Sequence, residues 1–191
     1  LGIRQSMSRK GDPYDNAVAE NFFSCLKCEC VHLRHFASRA HAMADVFAYI
    51  ETFYNPVRPH SSIGWRPPDA FARACLSIPP PECDTTRYPA FLSVFSSFLL
   101  STKPGRAHTA WVGDITYIPT GEGWLYCAVV KDLCTKQIVG YSFSDRIDTN
   151  LTLAALGMAV RRRKPLPGLI FHSDRGVQYA AYAYRQRLAS L

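Results

Sequence analysis

The last part of the chain, residues 110–191, contains strand-like and helix-like segments in a regular order, and this order constrains the fold more than any other feature. The predicted strands are WVGDITYI (111–118), WLYCAVVKDL (124–133), KQIVGYSFS (136–144) and GLIFHSD (168–174). A helix capped by Thr149 is predicted to run to about Arg163, between the third and fourth strands, and a second helix follows the fourth strand. Three strands, a helix, a strand and a helix predict an α/β fold with a mixed sheet and flanking helices.

The first part of the chain, residues 1–76, is predicted to be helical after its opening. Asp12-Pro13 or Asp15 can cap a helix that runs to about Val31, and Ser38 can cap a second helix. A Pro-rich basic loop, YNPVRPHSSIGWRPPDAF (54–71), leads into a last short helix. Residues 77–109 have no clear period and are interpreted as a linker between the first part and the strand-rich part, residues 110–191.

The charge balance favours a polyanionic partner. The net charge is +7 and the sequence pI is about 9.1, so nucleic acid is the first candidate. The longest apolar stretch, residues 88–100, is too short for a bilayer span of about 20 residues, so we expect no membrane partner. The opening of the chain has no signal-peptide pattern and the seven Cys are an odd number, so we expect reduced thiols and a cytoplasmic protein.

Two acids occupy the strands of the last part. Asp114 lies within the first predicted strand and Asp174 ends the fourth. Acids at neighbouring strand ends can converge on Mg²⁺, which prefers carboxylate oxygens and keeps some of its waters. Two such ions about 4 Å apart can activate a water or hydroxyl and stabilise the leaving oxygen of a phosphodiester. The alternative is that each acid is only a turn residue at a strand end.

Four motifs carry a resemblance to a known family: WVGDITYIP, HSDRGVQY, SMSRKGDPYDNAVAENFFSCLK and FYNPVRPHSSIGWRPPDAF. They resemble the catalytic core of insertion-sequence transposases with a retroviral-integrase-like domain, most closely the group made from two overlapping reading frames. The resemblance implies a ribonuclease H-like fold with a five-stranded mixed sheet. It also implies an Asp-Asp-Glu triad that binds two Mg²⁺ (or Mn²⁺) ions; by motif, the triad is Asp114, Asp174 and Glu20. Lys27, seven positions after Glu20, matches a basic residue that contacts DNA in the family.

The order of these motifs departs from the family, in which the Glu follows both Asp. Joining the C-terminus to the N-terminus puts Glu20 at the family's spacing of roughly 35 residues after Asp174. The chain is therefore interpreted as a circularly permuted core: residues 1–76 form its C-terminal half and residues 110–191 its N-terminal half. One origin is a genuine permuted protein; the other is an open frame read around a circular element or across tandem copies. The start at Leu1 and the unpatterned linker favour the second origin.

Further basic and polar residues are candidates for DNA contact. Arg58 and His60 in the Pro-rich loop suit phosphates, although the loop could equally cap the last helix. Gln178, with Arg175 nearby, follows the family pattern SDRG.QY and is predicted to lie near the substrate. The basic run at 161–164 fits either a DNA backbone or a solvated helix end.

A Cys/His cluster and one further histidine each have a functional and a purely structural interpretation. Cys25, Cys28 and His32 share a predicted helical face, which a zinc site could use, but chance placement is favoured because a second ligand pair is missing. His172 precedes Asp174 by two and either orients the site or packs within its strand.

The sequence thus predicts a transposase core that hydrolyses a phosphodiester at an element end and then joins the freed 3′-OH to target DNA. Expected partners are DNA, further copies of the chain on DNA, and a separate helix-turn-helix subunit, since no segment matches the family's end-recognition domain. One rival is a defective remnant that binds DNA without activity. Another is a ribonuclease H-like nuclease, which the YNPVRPHSSIGW segment disfavours.

Overall fold

The sheet of this protein is mixed and five-stranded. The computed structural model describes residues 2–8, 17–77, 109–165 and 167–191. The strands are β1 (Arg4–Met7), β2 (Ala110–Thr120), β3 (Gly123–Asp132), β4 (Ile138–Ser144) and β5 (Ile170–Ser173). The helices are α1 (Ala17–Leu26), α2 (Arg39–Ala48), α3 (Pro68–Ser77), α4 (Thr149–Arg163), α5 (Val177–Ala180) and α6 (Tyr182–Ser190), with a 3₁₀ turn at Ser61–Ile63.

The strand order is β1-β5-β2-β3-β4. β2, β3 and β4 form an antiparallel meander, whereas β5 lies between β1 and β2 and runs parallel to both. A two-residue turn joins β2 to β3, and Gly123 directly after it has a φ of 101°, a region that glycine enters without steric cost. The predicted α/β architecture with a mixed sheet and flanking helices is confirmed.

Each face of the sheet carries its own hydrophobic core. On one face, α1 and α2 pack their apolar residues, including Phe22, Leu26 and Val46, against Ile118 and Val129 of the meander. On the other face, helices α4 and α6 cover a second set of buried strand residues, which comprises Trp111, Ala128, Val130, Val139 and Phe171. No helix in the described parts of the chain is long and apolar enough to cross a membrane.

The helix boundaries follow local capping chemistry. Ser38 caps α2 as predicted, since its Oγ accepts a hydrogen bond from the His41 N–H at 3.1 Å. The predicted Thr149 cap of α4 is wrong by one residue. Asp148 has the extended backbone of an N-cap, and its carboxylate accepts from the Leu151 N–H at 2.9 Å. A carboxylate also interacts favourably with the positive end of the helix dipole.

Both α1 and α2 continue as π-helical segments, at Lys27–Val31 and Tyr49–Tyr54. The predicted end of the first helix at about Val31 is therefore confirmed when its π-helical continuation is included. The predicted caps at Asp12 and Asp15 lie outside the described residues, as does nearly all of the predicted linker.

Candidate functional site: an acidic strand edge

Asp114 and Asp174 occupy equivalent places on neighbouring parallel strands. The pairing of β2 with β5 ends at the partners Gly113 and Ser173, and each aspartate is the next residue along its strand. The Asp114 Oδ1 accepts a hydrogen bond from the Ile115 N–H at 2.8 Å, and the Asp174 Oδ1 accepts from the Gly176 N–H at 3.0 Å. The two carboxyl groups therefore emerge at the point where β2 and β5 separate.

The other two acids contribute to the electrostatic environment of Asp114. Burial is the largest cause that raises the pKa of Asp114 to about 7, and the negative charges of Asp174 and Glu20 raise it further. Only the Ile115 N–H opposes them. Carboxylates that repel one another without a compensating cation suit a hard divalent ion, which takes oxygen ligands and retains water.

Glu20 approaches from the helical layer. Val18 and Ala19 of α1 pack against Val112 and its neighbours on β2, so the first turn of this helix lies over the strand that carries Asp114. Glu20 itself is exposed. Within the described ranges, no group of three or more His, Cys, Asp or Glu side chains is close enough to hold a metal ion. The three acids thus interact through their charges but do not form a closed set of ligands.

Gly113 allows the two aspartate-bearing strands to approach. A Cβ atom placed on Gly113 would lie 2.5 Å from Cζ of Phe171 and 3.3 Å from Cε1 of Tyr179. Both rings are buried, so neither can move aside cheaply. The pKa of Tyr179 is raised well above its usual range, first by burial and then by the negative charges of Tyr184, Asp114 and Asp174. Sequence reasoning missed Gly113; its position directly before a strand acid is the signal that could have found it.

The residues after Asp174 surround the site. The Arg175 Nε donates to the carbonyl oxygen of Ser8 at 2.8 Å, which ties the loop after β5 to the end of β1. A Cβ on Gly176 would lie 2.9 Å from both Asp174 Oδ1 and Gln178 Oε1, so Gln178 reaches the same small turn as the acid. DNA contact by Arg175 and Gln178 stays a prediction.

His172 lies within the sheet. Its two ring nitrogens lie 3.1 Å from Ser6 Oγ and 3.2 Å from Ser8 Oγ. His172 is buried, and these contacts join β5 to β1. This agrees with the alternative that His172 packs within its strand.

Lys27 lies two helical turns after Glu20, at the start of the π-helical segment. Its Nζ is 4.9 Å from the centroid of the Tyr117 ring, within the range of a cation–π interaction. Tyr117 is 53% exposed, so the ammonium lies near the surface beside the free edge of β2. This position is compatible with the predicted DNA contact of Lys27, which stays a prediction.

Arg58 is paired within the protein and His60 is buried. The Arg58 guanidinium forms hydrogen bonds with both carboxylate oxygens of Glu29, through Nε at 2.9 Å and Nη2 at 2.6 Å. His60 is buried at 7% exposure, and its pKa is lowered to about 4 by burial and by the positive charges of Lys131 and Arg58. Neither of these environments involves α3, so they do not test whether the loop caps that helix, and DNA contact by Arg58 and His60 stays a prediction.

The same Pro-rich segment is fixed to the sheet through Asn55. Its Nδ2 donates to the carbonyl oxygen of Ile138 at 3.0 Å, and its Oδ1 accepts from the Ile138 N–H at 2.9 Å. Beneath it, the fully buried Lys131 donates from Nζ to the Val18 carbonyl oxygen at 3.1 Å. Burial, followed by smaller and opposing effects of Cys25 and Arg58, lowers the pKa of Lys131 to about 7.

Comparison with known proteins agrees with this architecture. Two family models, each described as an integrase core domain, match residues 1–68 and 104–191. An uncharacterized 31 kDa protein of insertion element IS600 from Shigella sonnei is 51% identical over 82 residues, which are 43% of this chain and 30% of the relative. The transposase InsF of insertion sequence IS3A from Escherichia coli (strain K12) is 49% identical over 78 residues, 41% of this chain and 27% of the relative.

The matched part of the chain spans less than a third of the length of these relatives. The family matches nevertheless cover both the strand-rich part with the two aspartates and the helical part with Glu20. Together with the five-stranded mixed sheet, they establish that the chain belongs to the integrase core domain family and is related to insertion-sequence transposases.

Proposed function

We propose that this chain is the catalytic core of a transposase, which cleaves DNA at the ends of a mobile element and transfers the cut strand to target DNA. The observation that carries the proposal is the electrostatic convergence of Asp114, Asp174 and Glu20 where β2 and β5 separate. The described residues contribute no positive charge to the pKa shift of Asp114. Uncompensated carboxylates of this kind are typical of functional sites.

The proposed metal ligands are the carboxylates of Asp114 and Asp174, with Glu20 as the third. Mg²⁺ or Mn²⁺, as a pair of ions, would supply Lewis-acid activation of the attacking oxygen and stabilise the leaving oxygen. Asp114 and Asp174 each accept a hydrogen bond from a nearby backbone N–H, that of Ile115 and that of Gly176, so their orientation is set before a substrate arrives. Glu20 is exposed and would close the site from the helical layer.

The proposed chemistry consists of two phosphoryl transfers. In the first, water attacks a phosphorus at the element end and the bond to the 3′ oxygen breaks, which leaves a 3′-OH. In the second, that 3′-OH attacks a phosphodiester of target DNA, and the displaced oxygen leaves as a new 3′-OH. The proposed DNA contacts are Arg175 and Gln178, in the turn after Asp174, and Lys27, two helical turns after Glu20. Recognition of element ends by a separate helix-turn-helix subunit, and assembly of several copies on DNA, belong to the same proposal.

The test is Mn²⁺ binding and Mn²⁺-dependent cleavage of element-end DNA by the whole chain, compared with Asp114→Asn. The amide lacks the charge of a ligand, so we expect this variant to lose both activities while it keeps its fold. Asp145→Asn is the matched control, because Asp145 is an exposed aspartate after β4. If the folded chain binds no Mn²⁺, the proposal is wrong and the chain is a non-catalytic remnant. Cleavage of RNA–DNA hybrid alone would instead assign a ribonuclease H-like nuclease.

We further propose that the motif order is a circular permutation. β5 and β1 are neighbouring parallel strands, and parallel neighbours are usually joined through a helix that returns to the start of the second strand. Helices α5 and α6 follow β5, and the Ile3 N–H donates to the Leu188 carbonyl oxygen at 2.8 Å. A Cβ on Gly2 would lie 2.5 Å from the Ala189 carbonyl oxygen, so the two ends of the described chain meet.

A rejoined chain tests the permutation. Residues 109–191 would be followed directly by residues 2–77, which restores a continuous β5-α5-α6-β1 unit. We expect this chain to fold with the same circular dichroism spectrum and to bind Mn²⁺ as the original chain does. Failure of the rejoined chain to fold would contradict the permutation, because the meeting of the ends would then not reflect a continuous unit.

A further inference from the structure

Two aromatic rings are exposed at the tip of the β2–β3 hairpin. The centroids of Tyr117 and Trp124 are 5.0 Å apart and their planes cross at 82°, an edge-to-face pair. Tyr117 is 53% exposed and Trp124 is 50% exposed. They lie on the sheet face whose core is formed with α4 further along the strands, where Ile115 and Tyr126 are partly buried. The hairpin thus extends this apolar face beyond the helices that cover it.

The hairpin tip is held rigidly. The Gly121 N–H donates to the Phe36 carbonyl oxygen at 2.8 Å, and the Arg39 Nε donates to the Trp124 carbonyl oxygen at 3.1 Å. The Arg39 N–H also donates to the Glu122 carboxylate at 2.9 Å. The loop before α2 and the first residue of α2 therefore fix the backbone that presents the two rings. A fixed surface loses little conformational entropy when it binds a ligand.

Cations accompany the rings. Lys27 lies over the Tyr117 ring, and Arg39 lies at the backbone beneath Trp124. Aromatic rings with adjacent cations on a basic protein match the chemistry that binds single-stranded nucleic acid, in which bases stack on rings and phosphates meet cations.

The length of α1 gives the distance between the acidic edge and the two rings. Glu20 and Lys27 are separated by two helical turns, about 10 Å along the axis and roughly three base steps of B-form DNA. A strand that follows α1 from Glu20 to Lys27 arrives at Tyr117. The rings are thus placed to receive bases a short distance from the proposed cleavage point.

We propose that Tyr117 and Trp124, with Lys27 and Arg39, form a stacking surface for unpaired bases of the DNA strand that leaves the active site. This inference rests on the proposed function for the identity of the strand. The surface itself requires only an unpaired DNA segment, so it can be tested without cleavage.

The test measures binding of a labelled duplex with a single-stranded 3′ overhang, and of the same duplex with blunt ends, by fluorescence anisotropy in EDTA. Trp124→Ala is expected to weaken overhang binding about ten- to a hundredfold, the range that loss of one stacked base produces, and to change blunt-duplex binding less than about twofold. Trp65→Ala is the matched control, since Trp65 is a still more exposed tryptophan, at 73%, in the Pro-rich loop; it should change neither affinity.

Equal overhang binding by Trp124→Ala and the unchanged chain would overturn the proposal, as would equal losses for overhang and blunt DNA. Should Trp124→Ala fail to fold, Trp124→Phe keeps a ring and should retain most of the overhang affinity. In a Trp65→Phe background, overhang DNA should also quench the fluorescence of Trp124. The other remaining tryptophan, Trp111, is buried and hydrogen-bonded to Asp132, so DNA does not reach it. These readouts need no metal, so a failure of cleavage and a failure of stacking remain distinguishable.

Discussion

The acidic strand edge and the Pro-rich segment differ in whether their charged side chains have partners of opposite charge. At the strand edge, burial and the negative charges of Asp174 and Glu20 raise the pKa of Asp114 to about 7. In the Pro-rich segment, Arg58 is paired with Glu29, which also accepts a hydrogen bond from the Tyr49 hydroxyl at 2.8 Å. Both regions belong to motifs of the same family resemblance, so motif membership alone does not separate chemistry from architecture.

The difference shows which motif residues are available to a substrate. A charge whose partner is another part of the protein stabilises the fold, and using it for a ligand would cost that interaction. A charge that lies among like charges destabilises the fold locally, and the binding of a counter-ion relieves this repulsion. We therefore expect substitutions at the strand edge to change activity, and substitutions in the Pro-rich segment to change stability.

The largest expected effect is that of Glu20→Gln. The amide keeps the shape of the side chain but removes the third carboxylate charge, so Mn²⁺-dependent cleavage should fall by more than roughly a hundredfold, since even groups that only support metal ligands are worth 10- to 100-fold. Because Glu20 is exposed, the free energy of unfolding should change by less than about 0.5 kcal/mol. A large loss of stability with normal cleavage kinetics would contradict the contrast between the two regions.

The next effect concerns Asn55→Ala. The substitution leaves the buried N–H and carbonyl groups of Ile138 without their side-chain partner, which should lower the free energy of unfolding by about 2–4 kcal/mol in urea titrations. Asn150→Ala, at an exposed position at the start of α4, is the control and should cost less than about 0.5 kcal/mol. Similar losses for the two variants would show that the anchoring of the Pro-rich segment is energetically unimportant.

A smaller effect, which depends on pH, is expected for Lys131→Met. The folded-state pKa of Lys131 is about 7 and its ordinary value is 10.5, so between these values the unfolded state binds more protons. The stability of the unchanged chain relative to Lys131→Met should therefore rise with pH, by about 2 kcal/mol between pH 7 and 9. Urea titrations at both pH values measure this difference. A constant difference would mean that the Lys131 ammonium remains hydrated in the folded protein.

The smallest effect is that of Glu29→Gln. Loss of the charged partner of Arg58 should lower the free energy of unfolding by about 1 kcal/mol, because the pair is partly exposed. The same substitution removes the charged partner of Arg58 and so tests its role. A DNA-contacting Arg58 should then bind DNA more tightly, whereas a structural Arg58 should leave the DNA affinity within about twofold. Anisotropy titrations of Glu29→Gln and Arg58→Gln distinguish the two roles.

The elements of the sheet could be predicted because their sequence patterns are local. Alternation in β2, the two-residue turn before Gly123 and the serine cap of α2 each depend on a few neighbouring residues. The cap of α4 could not be predicted to the residue, because Thr149 and Asp148 are both of residue types that cap helices and only the backbone conformation decides between them.

The environments of the candidate residues could not be predicted, because they depend on contacts between distant parts of the chain. Glu29 and Arg58 are 29 positions apart, and nothing in the sequence pairs that glutamate with that arginine. The exposure of Trp124 likewise depends on where the covering helices end. The sequence therefore identifies candidates, and the tertiary contacts determine which of them remain accessible.

The contact between Gly113 and the Phe171 ring has an evolutionary consequence. A glycine codon is one base change from codons for alanine, serine, valine or aspartate, and each of these adds a Cβ where the two aspartate-bearing strands meet. Such a change would displace the buried Phe171 ring next to the residue before Asp114 while every acid of the proposed triad stayed in place. Under the proposed function, copies of the element could therefore be silenced by drift at this position and still carry all three acids, so counting acids would overestimate how many copies can move.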